Sequence, residues 1–142
     1  MWRESREMTR NDAREIMMQI LYEMDATKSL DEGKATRLAS ERLKGDHAAR
    51  GGKLLSETVR HLDEIDADIN RCASRWKTSR MPKVDLAIMR LACGEIRFCD
   101  DIPEAVSINE AINMAKKYST DSSARFIHGV LGAITKGKKD DR

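Results

Sequence analysis

Features that mark several common protein classes are scarce in this chain of 142 residues. Aromatic residues make up only 4% of it, and it has two prolines and three cysteines, Cys72, Cys93 and Cys99. Strands favour aromatic and β-branched residues, so this shortage argues against a β-rich fold. The odd number of cysteines, with no C-x-x-C pair among them, argues against a disulfide framework.

Long apolar runs are also absent. No segment reaches the roughly 18 consecutive apolar residues that indicate a transmembrane helix. The opening "MWRESREM" lacks the apolar core of a secretory signal. These two absences predict a cytoplasmic protein.

The chain has no large excess of one charge. Its 26 Lys and Arg residues against 24 Asp and Glu give a formal net charge of +2, and charged residues make up 35% of the chain. Such a balance does not by itself indicate a nucleic-acid-binding protein, so a cationic surface would have to be local. A chain of this length fits one domain with its own core.

Motifs for catalysis and metal binding are missing as well. His47 and His61 could share a helix, but 14 helical residues would separate them by about 21 Å. The stretch "ARGGKLLSE" at 49–57 lacks the spacing of a phosphate-binding loop, and no G-x-S-x-G is present. The sequence therefore predicts no catalytic residue, no metal and no cofactor.

Apolar residues recur every three or four positions in six or seven segments, which predicts an all-α fold. The first helix covers Asp12 to Met24, a second and more polar one ends at Gly45, and the third runs without a break through Trp76. The stretch "VDLAIMRLACGEIRF" after Pro82 is apolar nearly all round, as in a central helix.

Two more helices follow. Ser107 and Glu110 have the spacing of a capping box, which predicts a helix that starts at Ile108. The last helix begins after "YSTDSS", and its residues Ile127, Val130, Leu131 and Ile134 form the predicted core face. His128 lies at the margin of the opposite side.

Basic residues cluster in three places: Arg3, Arg6, Arg10 and Arg14; Arg75, Lys77, Arg80, Lys83 and Arg90; and Lys116 with Lys117. If these clusters converge, they would form a surface that follows a phosphate backbone. The alternatives are a solvated face for the arginines and, for the two lysines, an interaction with the helix dipole.

Four segments carry a specific resemblance. They are "AREIMMQILYEMD" (13–25), "DLAIMRLACGEI" (85–96), "IPEAVSINEAINMAKKYS" (102–119) and "SARFIHGVL" (123–131), and in order and spacing the chain resembles the NusB family from about Thr9 to Ile134. The resemblance implies about seven helices in two three-helix subdomains and no enzymatic activity. It also implies binding to boxA RNA together with the ribosomal protein NusE, in the RNA polymerase antitermination complex of rRNA operons.

The resemblance also implies roles for individual residues. Arg10 and Arg14 match an arginine-rich RNA-contacting start, and Tyr22 and Glu95 match residues near the RNA and NusE surfaces. Phe126 matches a family phenylalanine that could stack on a base, with core packing as the alternative for it and for Tyr22. His128 stands where the family usually has Asn. The predicted RNA-binding set is Arg10, Arg14, Arg80, Lys117, Phe126 and His128, and the partner-binding set is Tyr22 and Glu95.

The expected organisation is a flexible arm at 1–8, one helical domain at 9–136 and a disordered tail at 137–142. A homodimer is possible on the resemblance and the sequence leaves it open. Two other functions also remain open: the RNA-binding domain of an rRNA cytosine methyltransferase, and a purely structural helical module.

Overall fold

The computed structural model describes residues 7–74 and 76–140, with side chains described as far as residue 137. Arg3, Arg6 and Arg75, and most of the expected arm at 1–8, lie outside the described residues. Within those ranges there is no strand, which confirms the all-α prediction. The helices are α1 (Arg10–Ala26), α2 (Glu32–Arg42), α3 (Asp46–Arg60), α4 (Leu62–Cys72), α5 (Lys83–Phe98), α6 (Glu104–Tyr118) and α7 (Asp121–Asp140), with a 3-10 turn at Thr78–Arg80.

Helix α1 begins at a capping box. The Thr9 hydroxyl accepts a hydrogen bond from the Asp12 N–H, and the Asp12 carboxylate accepts one from the Thr9 N–H, both at 3.0 Å. Such reciprocal bonds satisfy two backbone donors that a helix start leaves unpaired. The apolar face of α1, including Ile20, Leu21 and Met24, is fully buried.

Helix α5 is the centre of the fold. All twelve residues from 85 to 96 are buried. The helix packs against α1, α3, α4, α6 and α7. Its apolar residues on all faces follow from this position, since every face meets another helix.

Helix α3 crosses α5 closely at Gly94. A Cβ atom at this position would lie 2.2 Å from the Thr58 hydroxyl oxygen, which is held by its hydrogen bond to the Leu54 carbonyl at 2.7 Å. Real Cβ contacts do not come so near, so the two helices need glycine here to keep their separation.

We therefore expect Gly94→Ala to lower the free energy of unfolding by about 1–3 kcal/mol, because the added methyl group pushes α3 and α5 apart. Chemical denaturation followed by circular dichroism measures the change. Gly129→Ala is the matched control: it lies in α7 with open space around its Cβ position, so alanine should stabilise the helix by about 0.5–1 kcal/mol. Equal effects of the two substitutions would contradict the close crossing.

The prediction of one long third helix is wrong. The chain breaks at His61, whose φ of −105° and ψ of 24° separate α3 from α4. The His61 ring packs against Phe98, with centroids 5.1 Å apart, and its backbone N–H donates to the Glu57 carbonyl. Trp76, expected on the same apolar stripe, follows α4 and is 43% exposed.

Helix α6 starts earlier than the sequence predicts. Pro103 precedes its first turn, and Ser107 is a buried residue within the helix and does not cap it. At the other end of the chain, α7 continues to Asp140, so the expected tail boundary at 137 lies inside this helix. The predicted core face of α7, including Ile127 and Leu131, is buried as expected.

Candidate nucleic-acid interface

A groove with a volume of about 900 Å³ separates the start of α1 from the start of α3 and the loop between α5 and α6. The Gly45 backbone, with a φ of +59°, turns the chain at one lip between α2 and α3. Apolar side chains line the groove below its rim: Met17, Leu54, Phe98 and Ile102. The groove thus combines an apolar interior with ionic edges.

Four exposed cations lie at the rim of the groove: Arg10, Lys44, Arg50 and Lys53. Three exposed acids lie there with them: Glu7, Asp46 and Asp101. Arg10, Lys44 and Lys53 make no ion pair with another described residue. Arg50 lies 2.9 Å from Asp101, and both side chains are about half exposed. A hydrogen bond from Arg50 holds the pKa of Asp101 below its ordinary value. Water screens an exposed pair of this kind, so a phosphate can replace the carboxylate.

His47 fixes one end of the groove. Its Nε2 lies 2.9 Å from the Met8 carbonyl oxygen, and since a carbonyl only accepts, the ring N–H donates. This bond joins the start of α3 to the residues just before α1. The two walls that carry the rim cations are therefore tied together.

The floor of the groove contains a buried ion pair. The Arg14 guanidinium donates from Nε to one Glu95 oxygen at 2.7 Å and from a terminal nitrogen to the other at 3.0 Å. The Ser107 hydroxyl donates to Glu95 at 2.8 Å, and the Asn11 side chain accepts from Arg14 at 3.1 Å. Arg14 is 6% exposed and Glu95 2%.

The electrostatics of this site keep Arg14 charged. Burial acts to lower the pKa of Arg14, but the hydrogen bond and charge of Glu95 outweigh it, so the pKa lies above its ordinary value. Arg14 and Glu95, predicted to contact RNA and a partner respectively, are brought together here and face each other. Their charges cancel inside the fold.

The cysteines in this region are poorly suited to act as nucleophiles. Burial raises the pKa of the Cys93 thiol to about 12. Burial and the nearby Glu95 also raise the pKa of Cys99, which lines the groove. Both thiols stay protonated near neutral pH and are poor nucleophiles. The described residues contain no group of three or more His, Cys, Asp or Glu that could hold a metal ion.

Lys117 lies on a neighbouring surface. Its Nζ is 3.0 Å from both Glu15 carboxylate oxygens, and the Tyr118 hydroxyl donates to the same carboxylate at 2.5 Å. Glu15, Gln19 and Tyr22 follow one another on the same face of α1. Tyr22 is 39% exposed. We call this set the α1–α6 surface: Glu15, Gln19, Tyr22, Lys117 and Tyr118.

The other predicted RNA-binding residues lie away from the groove. Phe126 is half-buried and meets the edge of Trp76, with ring centroids 5.4 Å apart. His128 on α7 and Arg80 in the 3-10 turn are exposed. Arg90, considered with the basic clusters, is buried and bound to Asp66 at 2.7 Å. Of the cluster residues that the structure describes, only Arg10 and Arg14 line the groove.

The sequence-based reasoning missed Lys44, His47, Arg50 and Lys53. These residues follow one another at intervals of three positions, from the loop before α3 into its second turn. That spacing places the helical members along one side of α3. It could have indicated a local group of cations despite the low net charge of the whole chain.

Comparison with known proteins identifies the fold and its relatives. A model of the NusB family matches residues 11–136. The chain belongs to the NusB family. The resemblance in the four sequence segments is thereby confirmed.

Two curated relatives show the extent of the similarity. The transcription antitermination protein NusB of Agathobacter rectalis is 40% identical over 127 residues, which cover 87% of this chain and 97% of that protein. The NusB protein of Chloroherpeton thalassium is 36% identical over 128 residues, or 89% of this chain. This NusB-family chain matches only 61% of that longer relative.

Solved structures agree with the fold. NusB of T. maritima superposes with a TM-score of 0.82 at 29% identity, over 92% of this chain and 93% of that one. A structure of the antitermination factors NusB and NusE in complex with dsRNA matches with a TM-score of 0.77 at 25% identity, over 90% and 96% of the two chains. No helix in the described part of this NusB-family protein is long and apolar enough to cross a membrane.

Proposed function

We propose that this protein is a cytoplasmic, non-enzymatic transcription antitermination factor. In this role it binds the boxA segment of rRNA leader transcripts together with NusE and helps RNA polymerase to read through terminators. Membership of the NusB family supports the role. A solved relative that holds both NusE and RNA supports the two partners.

The observation that carries the proposal is the set of exposed rim cations above an apolar interior. Rim cations such as Arg10 and Lys53 offer charge to phosphates, and each neutralised phosphate releases counterions and adds to affinity. The apolar interior suits unstacked bases, which single-stranded RNA exposes and a duplex does not. Arg10 is therefore proposed to bind RNA, as the family resemblance implies.

The α1–α6 surface is the proposed site for NusE. It presents the exposed Tyr22 and Tyr118 beside a charged Glu15 and Lys117, and tyrosines are common anchors at protein interfaces. Glu95 is too deeply buried to meet a partner protein directly. Its proposed effect on partners therefore passes through the shape and charge of the groove.

A second RNA contact is proposed at the edge of α7, where Phe126, His128 and Arg80 remain candidates. Trp76 is partly exposed and packs against Phe126 in an edge-type arrangement. A base that stacks on an aromatic ring contributes about 1–3 kcal/mol to binding.

From this second contact we expect Trp76→Ala to weaken RNA binding by about fivefold or more with little loss of stability, because the side chain is 43% exposed. Fluorescence anisotropy with a boxA oligonucleotide measures the affinity. Val106→Ala, on a residue that is 42% exposed on α6, is the control and should leave affinity unchanged. Equal affinities of the Trp76 variant and the wild type would refute the proposed second contact.

The proposed function is tested by titrating boxA RNA and a scrambled RNA of the same length, each with and without NusE. We expect tighter binding to boxA than to the scrambled RNA, and a further gain when NusE is present. Gel filtration of the same mixtures shows whether free protein forms a homodimer and whether NusE and RNA join one complex. Absence of binding to boxA at low salt, with and without NusE, would refute the proposal.

A further inference from the structure

The charges of the groove are unevenly arranged. The rim carries exposed charges of both signs, whereas the floor carries one arginine and one glutamate that are almost fully buried. The exposed rim charges are Arg10, Lys44, Arg50 and Lys53 together with Glu7, Asp46 and Asp101. The two floor charges are opposite and in direct contact. The rim therefore offers solvent-exposed cations, whereas the two charges of the floor are buried and paired with each other.

The floor would be cationic without Glu95. Both terminal nitrogens of the Arg14 guanidinium donate hydrogen bonds, one to Glu95 and the other to Asn11. Ser107 donates to the Glu95 oxygen that also accepts from Arg14, so the carboxylate is held in place by a neutral donor as well. A fixed carboxylate at this depth repels a phosphate that would otherwise approach Arg14.

The surroundings of the pair are apolar. Met17, Leu54 and Phe98 line the groove with Arg14 and Glu95. A phosphate would lose its hydration there without gaining a net opposite charge, which is unfavourable. A nucleobase is uncharged and flat, so it suits an apolar and electrically neutral floor.

We propose that Glu95 determines which part of the RNA chain enters the groove floor: by neutralising Arg14 it excludes phosphates and leaves the floor to a base. The inference rests on the proposed RNA-binding function and deepens it. Phosphates bind at the rim, and Arg14 does not contact them. Ser107 donates a hydrogen bond to Glu95 but does not itself line the groove.

The test compares Glu95→Gln with the wild type on two probes, a single-stranded oligouridine RNA and long-chain inorganic polyphosphate, over a range of salt concentrations. The variant frees the Arg14 charge, so polyphosphate gains one contact. We expect its salt slope to steepen by about 0.7 and its affinity near 0.1 M salt to rise roughly fivefold. The preference of the protein for oligouridine over polyphosphate shrinks accordingly.

Ser107→Ala is the matched control, because it removes a hydrogen bond to Glu95 and leaves every charge in place. We expect its salt slopes to equal those of the wild type. A Glu95→Gln variant with wild-type slopes on both probes would overturn the inference. So would a Ser107→Ala variant whose slopes change as much as those of Glu95→Gln, because the effect would then be structural.

Glu95→Gln leaves Arg14 buried without a charged partner, which destabilises the fold, so Arg14→Gln/Glu95→Gln is tested alongside it. This variant has a neutral floor, as the wild type has, and its polyphosphate slope should return to within about 0.3 of the wild-type value. A slope shallower by about 0.7 would show that Arg14 holds a phosphate and would refute the inference. If the wild type binds no RNA at low salt, the proposed function and this inference fail together, whereas RNA binding with unaltered variant slopes refutes the inference alone.

Discussion

Arg14→Met should lower the free energy of unfolding by about 3–5 kcal/mol, the largest stability effect expected of any single substitution in the groove. The change leaves the Glu95 carboxylate buried without its charged partner, and breaking a buried pair costs this much. For a domain of this size the melting temperature should fall by about 10 °C. Urea unfolding followed by circular dichroism measures the change.

The control for this prediction is Arg14→Met/Glu95→Gln. The amide of Gln can still accept the Ser107 hydrogen bond, and no charge remains to be buried, so most of the lost stability should return. Arg50→Met removes a half-exposed pair and should have a far smaller effect. A double variant as unstable as Arg14→Met would contradict the claim that an unpaired charge causes the loss.

Removing three rim charges should have the largest effect on RNA binding. In Arg10→Gln/Lys44→Gln/Lys53→Gln, three exposed cations lose their charge without any loss of buried contacts. Each contact to a single strand contributes about 0.7 to the salt slope, so the slope should become shallower by about 2 and affinity near 0.1 M salt should fall roughly a hundredfold. Anisotropy titrations with boxA RNA at several salt concentrations measure both quantities.

The matched control is Lys28→Gln/Arg37→Gln/Lys136→Gln. These three cations are also exposed, and none lines the groove. The net charge of the protein changes by the same amount, so a smaller loss of affinity than in the rim variant attributes the effect to position. Equal losses in both triple variants would show that RNA responds only to overall charge.

The helices could be predicted from the sequence because their buried apolar residues recur every three or four positions. Ile20 and Leu21 in α1, and Ile127 and Leu131 in α7, are buried where the spacing of apolar residues placed them. The apolar character of α5 on every face also predicted its central position correctly. These features depend on local periodicity alone.

The break at His61 could not be predicted in the same way. A one-residue interruption leaves the apolar stripe of α3 nearly in phase with that of α4, so periodicity reads them as one helix. The capping-box prediction for Ser107 failed for a related reason. Its spacing to Glu110 fits a capping box, yet its hydroxyl donates a hydrogen bond to Glu95 on another helix. Both outcomes depend on tertiary contacts.

The site was partly visible in the sequence. Arg10, singled out in the sequence, lines the groove, but the cations across from it on α3, Arg50 and Lys53, were overlooked. The pairing of Arg14 with Glu95 joins residues 81 positions apart, which one sequence cannot reveal. A clue existed, because a charged residue such as Glu95 within a helix buried on all sides requires a partner.

The salt dependence of RNA binding tests the central claim most directly. The affinity of the wild type for boxA RNA should be measured between about 0.05 and 0.5 M salt. Four rim cations predict a slope of log affinity against log salt near −3, and the rim variant should retain a slope near −1. A slope near zero in the wild type, or equal slopes in the wild type and the rim variant, would contradict RNA binding by the rim of this groove.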